Sequence, residues 1–240
     1  MLGAALLVLT ASIWSVFQPL SSLSRNHKEL RYLVTPANLL WSIGSVLAAD
    51  ARGAAKPREA IGLDAKAGAS WAARTRPMVV VLVVGETARA ANWGLSGYAR
   101  QTTPELAQSG VTNFIDVTSC GTNTETSLPC MFAPVGRRDY DEARIRGQQS
   151  LLHVAARAGV ALDWRDNQSG CKGVCDALPA MTIDARSAPT LCDGNRCLDE
   201  ALTQDLADRL ARAAGTQLWV LHPLGNHGPS YFRRYPQAFA

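Results

Sequence analysis

Four short apolar runs, separated by helical or irregular stretches, organise most of the chain. Residues 78–84 (MVVVLVV) form an unbroken apolar run rich in β-branched side chains, the pattern of a central parallel strand covered on both faces. Residues 111–117 (VTNFIDV) alternate apolar and polar and predict a second strand. Residues 160–164 (VALDW) and 218–221 (LWVL) predict a third and a fourth. Between them, residues 104–108 can open a short helix and residues 151–157 read as a helix ended by Gly159. In residues 199–214, Leu202, Leu206 and Leu210 fall four apart, so one stripe faces a core. Strands alternating with helices predict an α/β fold: a mostly parallel sheet sandwiched by helices.

The beginning of the chain has a different pattern. Residues 1–17 are almost wholly apolar, and the first 24 residues carry no charged side chain. As a helix, that run spans about 26 Å against a hydrocarbon core of ~30 Å. No positive region precedes it, so it reads as a membrane helix in preference to a signal peptide. Residues 18–47 mix Leu, Trp and Tyr with a basic cluster, which suits amphipathic helices at a membrane interface or plain solvated ones. Residues 50–77, rich in Ala, Gly and Arg, read as a linker. The expected organisation is therefore a membrane helix at 1–20, an amphipathic connector and linker at 21–77, and an α/β domain at 78–240.

Composition narrows the classes. With 47% apolar and 18% charged residues in 240, the chain can bury a sizeable core and is not a disordered one. The net charge of +4 is spread without a Lys/Arg block, which gives no case for nucleic-acid binding. Arg25, Lys28 and Arg31 behind the apolar run point, by the positive-inside tendency, to the cytoplasm. The six cysteines point the other way: they fall into local pairs, Cys120/Cys130, Cys171/Cys175 and Cys192/Cys197, the pattern of disulfides in an oxidising compartment. A zinc cluster is the alternative reading, though the gaps are not the usual C-x2-C.

Ligands of open α/β sheets bind beyond the carboxyl ends of the strands, and chemistry-bearing residues gather there. Glu86 follows the first run as a hard oxygen ligand or a helix-start carboxylate. Thr122, Thr124 and Thr126 follow the second, between Cys120 and Cys130. Such a hydroxyl is a nucleophile when a metal or base activates it, and otherwise a cap. Asp166 and Asn167 follow the third, with Lys172 nearby as a cation for a phosphate or a solvated surface charge. His222 and His227 follow the fourth in a Gly- and Pro-rich loop, as metal ligands, proton carriers or ordinary imidazoles. His27 and His153 have no such context.

Together, Val84-Gly85-Glu86-Thr87-Ala88-Arg89, Asn92-Trp93-Gly94-Leu95-Ser96-Gly97-Tyr98, the tract from Ser119 through Cys130-Met131-Phe132, Trp164-Arg165-Asp166-Asn167, Lys172-Gly173-Val174 and Gly225-Asn226-His227-Gly228-Pro229 resemble the lipid A phosphoethanolamine transferases. That family includes the mobile colistin-resistance enzymes and lies within the alkaline phosphatase/sulfatase superfamily. The segment Arg25 to Arg31, with Thr35-Pro36-Ala37-Asn38, resembles its connector between membrane and periplasmic domains.

The resemblance implies a catalytic Zn2+ bound by Glu86 and by Thr124, the latter also the nucleophile that carries the phosphoethanolamine. It implies that His227, with His222 in the same loop, helps bind the substrate phosphate or a second zinc, and that Lys172 and Asn167 line the substrate pocket, with Gln168 an equal match to the place of Asn167. It implies three disulfides in the pairs above, phosphatidylethanolamine as donor, lipid A as acceptor, and an inner-membrane protein with its catalytic domain in the periplasm. Three features depart from the family pattern. The family begins with several further transmembrane helices where at most one is expected here. Its remaining zinc ligands come from an Asp-His-Gly-Glu motif and a further His, and these 240 residues contain no such motif, so the chain reads as truncated at both ends. Glu125 also places a charge beside the nucleophile where the family has a small or neutral residue; it either repels the phosphate or is aimed away. The rival expectations are another phospho- or sulfo-transferase or hydrolase of the superfamily, or an inactive membrane-tethered fragment.

Overall fold

A computed structural model describes residues 2–16, 37–53, 57–228 and 233–236. The chain divides into two units, Met1–Pro57 and Arg58–Ala240. The first contains α1 (Leu2–Ser15) and α2 (Ala37–Gly53). Both are strongly apolar, and α2 leaves Leu39, Leu40, Trp41, Ile43, Val46 and Leu47 exposed. Among the described residues no helix is long and apolar enough to cross a membrane. The basic cluster 25–31 and His27 lie outside the described residues.

The second unit is built on a four-stranded sheet of β1 (Met78–Val83), β2 (Ala161–Asp166), β3 (Ala180–Thr182) and β4 (Thr216–His222). The order is β1-β4-β2-β3 and every pairing is parallel. The helices are α3 (Ala69–Ala72), α4 (Pro104–Gln108), α5 (Thr124–Met131), α6 (Glu142–Gly147), α7 (Leu151–Arg157) and α8 (Leu206–Ala211).

Strand periodicity distributes the core. On one face Trp164 of β2 and Val220 of β4 pack with Leu128 of α5, Leu152 of α7, Phe132 and Val174. On the other, Leu221 packs with Ile183, Ala188, Ala201 and Leu202. Arg165, buried on that second face, is matched by Asp205 through Nη1–Oδ1 at 2.5 Å and Nη2–Oδ2 at 2.8 Å. This fork-to-fork pairing is what allows a guanidinium to be buried. Helix α7 begins with a capping box in which His153 Nδ1 accepts from the Ser150 amide at 3.1 Å, so this histidine is a structural brace.

The structure corrects several expectations. The 111–117 segment forms no strand; Phe114, Ile115 and Val117 stand exposed, because alternation marks a face but supplies no partner to pair with. The first strand, expected at the centre, is the sheet edge among the described residues, bonded only to β4, and Val83 is 61% exposed. The expected 199–214 helix is split into a 3-10 turn, Asp199–Leu202, and α8. Part of the expected linker is strapped to the domain midway along its length: the Glu59 amide donates to the Gly147 carbonyl at 2.8 Å, and Arg157 donates to the Ile61 carbonyl at 2.6 Å.

Candidate active site

Glu86 and Thr124 meet at the carboxyl end of the sheet. The Val84 amide continues the β1–β4 ladder to the Leu221 carbonyl at 2.9 Å, and the chain then turns through Gly85 to deliver Glu86 beyond the strand ends. Thr124 is the first residue of α5, whose N-cap, Asn123, accepts from the Thr126 amide at 2.9 Å. The Thr124 hydroxyl donates to Glu86 Oε2 at 2.8 Å. The neighbouring Thr87, held at φ +51°, donates its hydroxyl to Oε1. His227 Nδ1 lies 3.8 Å from Oε1, and only 11% of the Glu86 side chain is exposed.

Burial works to raise the Glu86 carboxyl. The hydroxyls of Thr87 and Thr124, with the nearby His227 and His222, outweigh it and hold the group below the usual glutamate value. Glu86 is thus kept as an anion and acceptor.

The loop that carries His227 is fitted to Glu86 at the main chain. The Asn226 amide donates to the Glu86 carbonyl at 3.1 Å. Gly225 has φ +54°, and a Cβ there would lie 2.7 Å from the Glu86 carbonyl oxygen, so the position demands glycine on both counts. Asp199 anchors the loop from below: its carboxylate accepts from the amides of Leu224 at 2.7 Å and Gly225 at 2.8 Å, and from Asn167 Nδ2 at 2.8 Å.

The other expected site residues fall into two groups. His222 is 1% exposed, with Nδ1 at 2.9 Å from Asp166 Oδ2, and so sits inside the sheet end instead of on an open substrate wall. Asp166 also accepts from Trp164 Nε1 at 2.9 Å and from the Gln168 and Gly170 amides. Burial opposes its ionisation, but these donors hold the Asp166 carboxyl below its ordinary value. The carboxylate of Asp166 is matched by Nδ1–H, and Nε2 is buried without a hydrogen-bond partner among the described residues.

Asn167 spends its amide on the Cys197 carbonyl at 3.0 Å and on Asp199, bracing the third disulfide loop. With Gln168 it also forms part of the wall of a cleft of about 400 Å3, completed by Asp184, Arg196, Cys197 and Leu224. Lys172 is not on that wall; its Nζ lies 2.9 Å from Glu125 Oε1. Cys120 and Cys130, Cys171 and Cys175, and Cys192 and Cys197 are joined as disulfides, which pin α5, the Lys172 turn and the loop beneath Asn167. Thr122 and Thr126 do not join Thr124 at Glu86; the Thr126 amide is used by the cap.

Sequence reasoning missed Asp199 and Thr87. Asp199 stood only as the first residue of the 199–214 helical stretch, and the only cue to Thr87 was its adjacency to Glu86.

The Sulfatase family model matches residues 78–240, and the family model Phosphoethanolamine transferase EptA/EptB matches residues 1–51. Phosphoethanolamine transferase EptA of Escherichia coli (strain K12) is 37% identical over 242 residues, covering 100% of this chain and 43% of that protein. Phosphatidylethanolamine transferase Mcr-1 of Escherichia coli is 41% identical over 230 residues, covering 92% of this chain and 42% of its own length. Among solved structures, the integral membrane lipooligosaccharide phosphoethanolamine transferase A of Neisseria meningitidis superposes with a TM-score of 0.77 at 38% identity, over 98% of this chain and 44% of that one. The chain thus spans under half the length of these relatives. With the Sulfatase model covering the whole sheet-bearing region, this chain belongs to the Sulfatase family, and its beginning is similar to the phosphoethanolamine transferases EptA/EptB.

Proposed function

We propose that this chain carries the nucleophile and donor-binding part of an enzyme that transfers phosphoethanolamine from phosphatidylethanolamine to lipid A. The observation that supports this most directly is the Thr124 hydroxyl, at the start of α5, donating at 2.8 Å to an ionised, nearly buried Glu86. The relatives named phosphoethanolamine and phosphatidylethanolamine transferases, similar over 92–100% of this chain, support the transferred group. The Kdo(2)-lipid A phosphoethanolamine 7''-transferase of Salmonella typhimurium, 33% identical over 67% of this chain, supports the acceptor class.

A carboxylate, a hydroxyl and a nearby imidazole are donor types that zinc accepts, and Glu86 and Thr124 would hold it. They fit one side of such a site: among the described residues no three His, Cys, Asp or Glu side chains cluster as metal ligands. When bound, zinc lowers the pKa of the hydroxyl it touches. The remaining roles belong to the protein. Glu86 fixes the direction of the Thr124 oxygen, and the first amides of α5 face an incoming phosphate. Lys172 supplies a cation and His227 a second polar group at the rim. The Thr124 oxygen attacks phosphorus, and the bond to the diacylglycerol oxygen breaks. That oxygen leaves as the alcohol with the proton that Thr124 gives up, and a phosphoethanolamine ester of Thr124 forms. A lipid A phosphate oxygen then attacks the same phosphorus and releases Thr124, giving ping-pong kinetics. Residues 1–20, including α1, would belong to a membrane-embedded part in the inner membrane. The three disulfides support an oxidising compartment, and the catalytic unit would face the periplasm.

The test is intact-mass analysis after incubation with phosphatidylethanolamine labelled in its ethanolamine. The unmodified chain gains one phosphoethanolamine at Thr124, and Thr124→Ala gains none; equal labelling of both sinks the assignment. A hydrolase or sulfatase reading is disfavoured by threonine at the nucleophile position, where a sulfatase uses Cys or Ser. A second reading, a membrane-tethered fragment without catalysis, is favoured by the partial donor set at Glu86. Zinc content separates the two: a stoichiometric metal supports the transferase, and substoichiometric zinc without labelling supports the fragment.

A further inference from the structure

The residue after the nucleophile is charged and already engaged. Two cations hold the Glu125 carboxylate: Lys172 Nζ at 2.9 Å from Oε1 and Arg146 Nη2 at 3.8 Å from Oε2. Arg146 also donates to the Glu125 main-chain carbonyl at 3.1 Å and pairs through Nε with Glu142 at 2.9 Å, so it holds the main chain at Glu125 and leaves the side chain room to move. Lys172 is firmly aimed. Its Nζ donates to Ser169 Oγ at 2.8 Å and to the Ser169 carbonyl at 3.2 Å. Its backbone adopts φ +52° in the turn closed by Cys171 and Cys175, an unusual conformation for a side-chain-bearing residue. The cation assigned above to the substrate phosphate is therefore matched internally by a carboxylate adjoining Thr124.

We propose that the Glu125–Lys172 pair selects a zwitterionic phosphate ester over a bare phosphate, Lys172 taking the phosphate and Glu125 the ammonium arm. The proposal rests on the reading of Thr124 and Lys172 as phosphate-handling groups and adds to it the recognition of the amine. A bare phosphate has to part the ion pair, and it then faces an adjacent carboxylate that has lost one of its cations. A ligand bearing both charges replaces each half of the pair with an equivalent partner, so the parting is an exchange and leaves no uncompensated charge. The Glu125 side chain is 57% exposed, which leaves it free to re-aim toward an entering ammonium.

Isothermal titration of the 240-residue chain with phosphoethanolamine and, separately, with inorganic phosphate tests this. The unmodified chain is expected to favour phosphoethanolamine by about fivefold, the scale of one partly exposed ion pair. Glu125→Gln weakens phosphoethanolamine, tightens phosphate and so erases the preference; Glu125→Ser repeats the result independently. Lys172→Gln weakens both ligands. If Glu125→Gln and Glu125→Ser move both ligands equally, or leave the preference intact while Lys172→Gln weakens binding, the selectivity role is wrong and the phosphate site stands. If neither probe binds the unmodified chain, or Lys172→Gln changes nothing, the phosphate reading falls and the selectivity role with it.

Discussion

Replacing Asp199 by alanine is the sharpest test of how the site is held together. Its carboxylate accepts three hydrogen bonds, two from the main chain of the His227 loop and one from Asn167. Hydrogen bonds to a charged acceptor contribute about 1.5–3 kcal/mol each where water is excluded. Asp199 and its loop partners are only half-buried, so water replaces part of what is lost, and about 1 kcal/mol per bond is the better figure. The sum is a destabilisation of about 3 kcal/mol for Asp199→Ala. In a unit of this size that lowers Tm by roughly 6–12 °C. Asp199→Asn keeps one acceptor oxygen and loses the charge, so it falls between the two. The same loss is read locally by hydrogen exchange. If the loop opens without the rest of the domain, the Leu224 and Gly225 amides exchange about 100-fold faster, whereas amides within β4 stay protected. Because the loop carries His227 to Glu86, phosphoethanolamine labelling of Thr124 should drop with it. A Tm within about 1 °C of the unmodified chain, together with unchanged exchange at residues 224 and 225, would refute the anchoring argument.

Two further outcomes follow from the same geometry. Gly225→Ala combines left-handed strain of about 1–2 kcal/mol with a Cβ 2.7 Å from the Glu86 carbonyl. Gly110→Ala, at φ +64° with nothing near its Cβ, carries the strain alone, so urea midpoints should fall further for Gly225→Ala, and equal costs would discard the close-approach argument. The Asp166 carboxyl lies below its unfolded value when folded, so it adds stability above about pH 4 that disappears as pH falls through the lower folded value. Stability measured from pH 6 down to pH 2 should therefore converge between the unmodified chain and Asp166→Asn at the acid end, and a constant gap would contradict the assignment.

What the sequence made legible follows a physical division. Buried parallel strands announce themselves, because both faces need apolar side chains; 218–221 lies within β4, and all of 160–164 except its first residue lies within β2. Residues 111–117 carry the alternating signal instead and form no strand, since whether a strand exists depends on a neighbour that the local pattern does not name. Glu86 and Thr124 were findable because each stands at an element's beginning or end and is flanked by turn-forming residues or cysteines. Asp199 was not, because its partners are main-chain amides, which have no sequence identity. The Glu125–Lys172 contact was half-visible. The charge beside the nucleophile stood out, but its partner depends on how the Cys171–Cys175 turn meets α5.

One sheet register joins these pieces. Val83 lies opposite Leu221 and Asp166 opposite His222, so the C-terminal ends of β1, β4 and β2 are level. That level edge puts Glu86 beside the 223–228 loop and gives Asp166 its hold on His222. A slip of β4 by one residue would turn His222 toward the Leu221 face and Leu221 into the place of the imidazole. The apolar demand of both cores opposes such a slip: Val220 and Leu221 are buried on opposite faces and neither core has a polar vacancy to offer. The residues that position the chemistry are therefore held in register by side chains that take no part in it. Substitutions at Val220 or Leu221 should consequently disturb the Glu86 site without touching it.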